Sequence, residues 1–209
     1  MTPVREYKAY RRAYIELNHK IMKRNLERDQ LQRSAELLGI VRRGTVVFQD
    51  EEETSVLMDF ALHEYRDQDK NAIALYKETV GGASAVERAV LSALISSRTS
   101  LFRIISASPT ERISTLRDLL NEGQPVRLMD IGLSQSADPD YSLFVRLVPF
   151  EDLFITSGIS FVFPPSLERY LVEGYEELRR KTAPDRLSQE RFIYFFRRSR
   201  KDGLKVLHM

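Results

Sequence analysis

The sequence predicts an α+β protein, with a helical N-terminal part, a small antiparallel β barrel or curved sheet, and C-terminal helices. Apolar residues recur at helical spacing near the N-terminus, alternate at a spacing of two in the middle, and return to helical spacing after Pro164 and Pro165. We therefore expect a helical region at 1–99 with a long N-terminal helix, a small antiparallel β unit at 100–164, and helices at 165–209 that pack on the preceding parts.

The composition excludes several kinds of site. The chain has 209 residues, of which 43% are hydrophobic and 30% charged, so it can bury a substantial core. It has no cysteine, which excludes disulfides, thiolate zinc sites and cysteine nucleophiles. The N-terminus lacks the apolar core of a signal peptide, and no window has the roughly 20 apolar residues that cross a bilayer. We expect a cytoplasmic protein that does not contact membranes.

The net charge of +2 conceals a strong segregation of charge along the chain. Residues 1–43 carry a net charge of +6, residues 44–175 carry −9, and residues 176–209 carry +5. Basic ends of this kind can meet nucleic acid or another anionic surface, and they can equally pair with the acidic middle of the same chain or of a partner subunit. We favour the second interpretation.

The first 39 residues carry the clearest helical pattern. Apolar side chains recur in one three-four frame from Tyr7 to Leu38, and the pattern ends at Gly39, a residue type that commonly ends helices. At 1.5 Å per residue the helix would be about 50 Å long, which exceeds the needs of a small domain. We therefore expect it to bind a second copy of the chain or another protein. The residues expected at that interface are Tyr7, Tyr10, Tyr14, Leu17 and Ile21.

Two arginines interrupt this apolar frame. Arg24 and Arg28 fall in the seam where apolar residues are expected. Either the helix bends or changes partners at this point, or the two arginines meet acidic groups of a partner. We favour a bend or a change of partners.

Three further helices are expected before residue 100. Asp50 is a good N-cap, and the acidic run at 51–53 lies in the first turn, where the helix dipole favours negative charge. That run therefore has a structural explanation and needs no metal. The helix that it begins is expected to end near Tyr65. The other two helices are expected near 70–79 and 84–97, separated by Gly81 and Gly82, with Ser84 as a cap.

Residues 100–164 have the alternation that is typical of strands. The pattern predicts five or six short strands, with alternation around 102–104, from 113, at 126–128, at 143–147 and at 159–163, and with turns at 121–123 and 156–158. Short strands joined by tight turns imply antiparallel pairing. A flat sheet of this size would leave exposed edges, so we expect a closed barrel or a strongly curved sheet.

Two C-terminal helices are expected after the β unit. Pro165 and Ser166 open the first, which extends to about Lys181, and the second lies near 187–200. The second helix carries Phe192, Phe195 and Phe196, which at helical spacing are typical of a core or interface face.

Part of the β unit resembles a module found in other proteins. The phrases SLFRIIS, RISTLRDLLNEGQPVRLMD and YSLFVRLVPFEDLFITSG occur in this order within residues 100–160. They resemble the β module of uncharacterised bacterial proteins that often also carry a C-terminal zinc-binding SEC-C motif. The matching residues are Asp118, Leu119, Leu120, Gly123, Arg146 and Leu147. The resemblance implies a module of helices and a small β unit, and it does not point to any activity. The missing cysteines exclude the SEC-C zinc site here.

Residues suited to catalysis or metal binding are sparse. His63 lacks the second histidine four residues later that a zincin motif requires, and His208 lies one residue from the end. Asp138 and Asp140 could share a divalent cation, but an Asp-Pro-Asp sequence is ordinary turn chemistry. We expect no metal and no cofactor, and the sequence assigns no catalytic residue.

Three functional interpretations remain open. The favoured one is a non-catalytic interaction or regulatory module that acts through protein–protein contacts. The alternative is a nucleic-acid-binding protein that uses both basic ends. Its candidate residues are Arg11, Arg12, Lys23, Arg24, Arg197, Arg198, Arg200 and Lys201. An enzyme of unknown class is the lesser alternative.

Overall fold

The computed structural model of the protein describes residues 3–136 and 138–204. The chain divides into two compact units, Met1–Ser97 and Arg98–Met209. The α+β class is confirmed, since helices lie at both ends of the chain and the strands between them form a closed barrel. No helix within the described ranges is both long enough and apolar enough to cross a membrane.

The first unit is mainly helical. Its elements are α1 (Pro3–Asn25), α2 (Arg28–Leu38), β1 (Val41–Arg42), β2 (Thr45–Val46), α3 (Glu52–His63), α4 (Ala72–Thr79) and α5 (Ala85–Ile95). Strands β1 and β2 form a short antiparallel hairpin. The expected cap at Ser84 is present, because its hydroxyl accepts a hydrogen bond from the Glu87 main chain. The N-cap of α3 is Glu51, one residue after the expected Asp50, although the Asp50 carboxylate accepts a hydrogen bond from the Glu53 main chain.

The long N-terminal helix is divided in two, so the expectation of a single helix ending at Gly39 is wrong. Helix α1 ends at Asn25 and α2 begins at Arg28. Glu27 and Gln30 form a capping box, in which each side chain bonds the other residue's main-chain N–H. This local hydrogen bonding starts a new helix between Arg24 and Arg28, where the apolar frame is interrupted. The favoured bend is therefore present, and Gly39 ends α2 with a positive φ of 78°.

The apolar face of α1 is buried within the protein. Helix α1 packs against α4 and α5, and Tyr14, Leu17 and Ile21 are almost completely inaccessible to solvent. Tyr7 is buried as well, while Tyr10 is half-buried. The expectation that these residues form a partner surface is therefore wrong for Tyr7, Tyr14, Leu17 and Ile21, because the neighbouring helices already cover them.

The second unit contains a β barrel and its covering helices. Its elements are β3 (Arg98–Ser108), β4 (Ile113–Asp118), β5 (Val126–Met129), α6 (Ile131–Ser136), β6 (Ser142–Phe150), β7 (Leu153–Phe163), a 3-10 turn (Pro165–Leu167), α7 (Glu168–Lys181) and α8 (Leu187–Asp202). The positions of α7 and α8 agree closely with the expected C-terminal helices.

The five strands close into a barrel in the order β3-β4-β5-β7-β6. All neighbouring pairs are antiparallel except β5 with β7, which is parallel. With α6 between its third and fourth strands, this five-stranded Greek-key barrel has the architecture of the OB fold. Closure removes the exposed strand edges that an open sheet of this size would present.

The barrel interior is apolar, with its fully buried residues on four strands and with Phe154 and Val162 of β7 packed against them. Its buried residues are Phe102, Ile104, Leu116, Leu128, Leu143, Val145 and Leu147. They alternate with outward-facing residues along each strand, which is the pattern that predicted the β unit. The expected hydrophobic alternation is confirmed in β3, β5 and β6.

The segment Thr156–Gly158 is not a turn. It lies inside β7, which runs without interruption from Leu153 to Phe163, and the register of β6 against β7 shifts between Val145 and Leu147. Gly158 has a φ of 113°, a conformation that glycine adopts without strain. The glycine therefore accommodates a bulge, and the turn between β6 and β7 falls at Glu151 and Asp152.

Helix α8 covers the outer face of β6 and β7 with aromatic side chains. The ring of Phe195 stacks on Phe144 of β6 with centroids 4.5 Å apart, and Phe192 meets Phe144 and Phe161 edge to face. Phe192, Phe195 and Phe196 are buried, which confirms the core interpretation of this face. Aromatic pairs in these geometries contribute about 0.5–1.5 kcal/mol each beyond area burial.

A partly buried ion pair links helix α7 to the barrel. The guanidinium of Arg103 on β3 binds both carboxylate oxygens of Glu168, with Nε to Oε2 at 2.7 Å. The hydroxyl of Ser142 on β6 donates a third hydrogen bond to the same carboxylate at 3.3 Å. Two barrel strands thereby fix the first turn of α7.

Leu17→Ala should destabilise the protein strongly, whereas Ile15→Ala should not. Leu17 is 0% exposed and Ile15 on the same helix is 44% exposed. Truncating a buried leucine leaves a cavity and costs about 3 kcal/mol, while an exposed truncation costs less than about 0.5 kcal/mol. Urea unfolding followed by circular dichroism measures both. An equally mild effect of the two substitutions would contradict the burial of Leu17.

Candidate functional site

A groove of about 310 Å³ lies along α7 and α8, on the part of α8 that does not face the barrel. Leu178, Ile193 and Tyr194 supply most of its apolar surface. Its charged lining is formed by Glu190, Arg197, Arg198 and Lys201. The groove therefore combines an apolar floor with a mainly basic rim.

Aromatic rings hold the central arginine of this groove. The guanidinium carbon of Arg198 lies 4.6 Å from the ring centroid of Tyr170 and 5.3 Å from that of Tyr194. The Tyr194 hydroxyl donates a hydrogen bond to the main-chain oxygen of Leu171 at 3.3 Å, which links α8 to α7. Burial raises the pKa of Tyr194, although the Arg198 charge opposes this effect, so the phenol stays neutral at physiological pH.

Two cations of the groove have no carboxylate partner among the described residues. Within the described part of the chain, Arg198 and Lys201 make no ion pair with a carboxylate. Tyr170, which stacks on Arg198, is 46% exposed. Cation–π contacts position a guanidinium without neutralising it. Arg198 is therefore held in place and keeps its full charge at the surface.

The other basic residues proposed for nucleic-acid binding lie in different surroundings. Arg200 is 5.7 Å above the ring of Phe196 and does not line the groove, unlike Arg197, Arg198 and Lys201. Arg11 on α1 lies 5.2 Å from the ring of Tyr14. The remaining three, Arg12, Lys23 and Arg24, are exposed on α1 in the first unit.

Ion pairs within each unit neutralise part of the basic charge. Lys20 in the basic N-terminal segment binds the carboxylate of Glu87 in the acidic middle segment. This contact is an instance of the favoured interpretation, in which a basic end pairs with the acidic middle of the same chain.

The outer face of β4 and β5 lacks the features of an oligonucleotide platform. In OB folds the second and third strands and adjacent loops commonly bind oligonucleotides, and base stacking requires aromatic side chains. Here the residues that alternate with the buried ones are Ile113, Thr115, Arg117 and Arg127. None of these described side chains is aromatic.

A second cavity, of about 330 Å³, lies beside the β4–β5 loop. It is lined by Arg98 and Thr99 of β3, Asp118 of β4, the loop residues Asn121, Glu122, Gly123 and Gln124, and Arg191 of α8. The loop belongs to the DLLNEG phrase that carries the family resemblance. The structure therefore places Asp118 and Gly123 of that phrase at a cavity, whereas Arg146 and Leu147 lie on β6.

Asp118 organises one wall of this cavity. Its carboxylate accepts hydrogen bonds from the Ser100 hydroxyl at 2.5 Å and from the main-chain N–H groups of Leu120 and Asn121 at 3.0 and 3.2 Å. The side-chain amide of Asn121 and the guanidinium of Arg98, at 2.6 Å, complete its shell. A carboxylate satisfied in this way is a structural anchor that fixes the start of the loop.

These contacts also set the ionisation of Asp118. Burial alone would raise the pKa of Asp118, but the hydrogen bonds from Ser100, Arg98, Leu120 and Asn121 together outweigh it and lower the pKa. Asp118 is therefore ionised at neutral pH, and its negative charge is already shared among donors of the fold.

One serine–histidine–aspartate arrangement occurs in the first unit, and it is buried. The Ser97 hydroxyl lies 3.4 Å from Nδ1 of His63, and Nε2 of His63 lies 4.0 Å from the Asp59 carboxylate. However, the Ser97 hydroxyl donates to the main-chain oxygen of Leu94 at 2.7 Å, and His63 and Asp59 are both less than a tenth exposed. A catalytic serine must be accessible to substrate, and its hydroxyl must donate to the histidine. We therefore assign this arrangement a structural role.

No metal site is formed among the described residues, where no three His, Cys, Asp or Glu side chains cluster. Asp138 and Asp140 are both exposed. The Asp130 carboxylate caps α6 by accepting from Leu133, and it also accepts from the Thr156 hydroxyl, both at 3.0 Å. His208 lies outside the described residues.

The fold and these cavities define an α+β protein of two units, in which a five-stranded barrel and its C-terminal helices carry a groove with a mainly basic rim and a cavity lined by two arginines and two carboxylates. Residues 1–208 match a family of unknown function, DUF7986, and the chain belongs to that family. No curated protein and no solved structure matches it.

Sequence reasoning missed the residues that join basic side chains into sites. Tyr170 and Tyr194 lie on different helices, and their meeting at Arg198 depends on how α7 and α8 pack. Arg191 is brought to Thr99, which is distant in the sequence, by the packing of α8 on the barrel. The local signal was the position of Arg191 and Arg198 on a helix that also carries aromatic residues.

Asp118→Asn should destabilise the protein at neutral pH by about 2 kcal/mol, because buried donors lose a charged acceptor. The pKa of Asp118 is lowered in the folded state. Its contribution is therefore complete above the ordinary carboxyl pKa of about 3.9 and disappears as the pH falls through the lower folded value. We expect the gap between wild type and Asp118→Asn to close as the pH drops below about 4.

Urea unfolding at neutral and acidic pH tests this expectation. Asp152→Asn is the matched control, since its carboxylate is 77% exposed and lies 3.5 Å from Arg127. Exposed pairs contribute at most about 1 kcal/mol. A gap for Asp118→Asn that is independent of pH would show that the anchor does not depend on ionisation.

Proposed function

We propose that the protein is a non-catalytic binding protein whose α7–α8 groove docks an acidic, amphipathic segment of a partner protein. The observation that carries this proposal is the combination of an apolar floor with Arg198, which two tyrosine rings hold at the surface without neutralising it.

The apolar floor accounts for affinity. Leu178, Ile193 and the ring of Tyr194 line a groove between two helices. Apolar side chains spaced along one face of a partner helix fit such grooves, and their burial is the main source of binding energy. The groove volume of about 310 Å³ accommodates one or two such side chains.

The rim accounts for specificity. Arg197, Arg198 and Lys201 outnumber Glu190 as charged residues of the groove, so acidic residues beside the partner's apolar side chains are favoured. Because stacking already restricts Arg198, less side-chain entropy is lost when it binds a carboxylate. The preferred partner is therefore acidic as well as amphipathic.

A partner protein fits this groove better than nucleic acid does. Binding the backbone of a nucleic acid needs a row of cations, but Arg200 lies apart from the other three C-terminal candidates and Glu190 places a negative charge in the groove. Self-association through the apolar face of α1 is not part of the proposal, since that face is buried. Nucleic-acid binding by the two basic ends stays a prediction.

The test compares labelled ligands by fluorescence anisotropy at about 150 mM salt, where exposed charges are screened. The probes are a synthetic helix-forming peptide with leucine and glutamate at helical spacing, a scrambled peptide of the same composition, and single-stranded DNA and RNA of equal charge. We expect the amphipathic peptide to bind more tightly than the other three.

Arg198→Glu with Lys201→Glu should weaken peptide binding at least about tenfold, which is about 1.4 kcal/mol. The charge-matched control is Arg117→Glu with Arg180→Glu, two exposed residues of the same unit that do not line the groove. Equal losses in both double variants would show non-specific attraction. Tighter binding of DNA or RNA than of the peptide, lost in the groove variant, would replace the proposal with nucleic-acid recognition.

A further inference from the structure

We infer that the cavity beside the β4–β5 loop is an oxyanion site that takes the phosphate group of a small molecule. This site is distinct from the α7–α8 groove and does not depend on the function proposed for it. Two guanidinium groups, from Arg98 on β3 and Arg191 on α8, line a cavity of about 330 Å³.

Arg191 supplies a positioned cation. Its Nε donates to the Thr99 hydroxyl at 3.2 Å and its Nη2 donates to the Ser188 hydroxyl at 3.3 Å. Both acceptors are neutral, and among the described residues Arg191 makes no ion pair. A guanidinium carries five N–H donors in a planar fork. The donors that Thr99 and Ser188 do not use are free to bind an anion, and the two hydroxyls fix the fork.

Arg98 supplies the second cation, and Asp118 orients it. One terminal nitrogen of Arg98 lies 2.6 Å from the Asp118 carboxylate, and the guanidinium carbon lies 5.7 Å from the ring centroid of Phe102. The side chain remains 43% exposed. Ser100, Leu120 and Asn121 also donate to Asp118, so this carboxylate is held in place and positions Arg98 beside the cavity.

The loop residues Gly123 and Gln124 line the cavity and have main-chain N–H groups that the described part of the fold does not use. Within the described part of the chain, the N–H groups of Gly123 and Gln124 make no hydrogen bond. A Cβ atom placed on Gly123 would meet nothing within 4 Å. Main-chain N–H groups beside arginine forks are a common way to bind oxyanions.

The size and the hydrogen-bond donors of the cavity favour phosphate. Two guanidinium groups and the carboxylates of Asp118 and Glu122 line the cavity, and Arg98 is paired with Asp118, whereas Arg191 has no carboxylate partner among the described residues. A phosphate has oxygen acceptors in several directions, so it can accept from the Arg191 fork and from neighbouring donors at once. The volume is near the lower limit for small-molecule sites, so the ligand is inorganic phosphate or a small phosphorylated compound. A carboxylate shares the same fork chemistry and is the alternative source. Glu122 also lines the cavity and opposes anion binding.

The experiment titrates the full-length protein with inorganic phosphate and, separately, with malonate, against chloride at equal ionic strength. Binding is followed by the melting temperature and by the phosphorus NMR line width of phosphate. A true site stabilises the folded state by mass action and saturates. We expect a saturable rise with phosphate, a smaller one with malonate, and none with chloride.

The variants locate the site. Arg191→Gln should weaken phosphate binding at least about tenfold, Arg191→Lys should restore part of it, and Glu122→Gln should strengthen it. Arg117→Gln, which removes an exposed arginine of the same unit outside the cavity, is the matched control and should have no effect. Glu122→Gln keeps the test valid if Arg191→Gln fails to fold, because Glu122 is exposed.

Three results would overturn the inference. They are the absence of saturation with phosphate, an unchanged affinity in both Arg191→Gln and Glu122→Gln, and an equal loss in Arg117→Gln. Stronger binding of malonate than of phosphate would overturn the choice of phosphate and assign the site to carboxylates.

Discussion

Strand β6 is buried on both faces, and the second unit depends on that constraint. Leu143, Val145 and Leu147 point into the barrel, while Phe144 on the opposite face lies under the aromatic side chains of α8. A barrel of five strands alone would expose this second apolar face to water. The C-terminal helices are therefore an integral part of the barrel unit, and both belong to the compact unit Arg98–Met209.

The phenylalanines of α8 pack on the barrel, and this packing sets the positions of the other residues of the helix. Near its N-terminus Arg191 reaches Thr99 of β3 and lines one cavity, and near its C-terminus Arg198 stacks on tyrosines and lines the groove with α7. One apolar packing interaction thus places an arginine in each of the two cavities. A substitution that loosened the aromatic contacts would disturb both of them together.

Charge in this protein is organised by local contacts. Arg103 is held by Glu168, Arg98 is oriented by Asp118, and Arg198 is held by two tyrosine side chains. These arginines therefore differ in how much charge they offer to a ligand, although they count equally in the net charge of +2. For this reason the segregation of charge along the chain indicates basic surfaces without identifying which cations are available.

The sequence by itself determined the α+β class, the existence of the barrel strands, the cap at Ser84 and the aromatic face of α8, because periodicity and capping are local properties. It indicated an interruption near Arg24 and Arg28, but it did not determine that a second helix begins there, the bulge at Gly158, or the burial of the α1 face. Those features depend on which surfaces meet, and an apolar helical stripe looks the same whether its partner is another protein or the neighbouring helices. Only the tertiary structure decided that α4 and α5 cover α1, and that Arg191 and Arg198 line cavities, since both outcomes arise from contacts between residues distant in the chain.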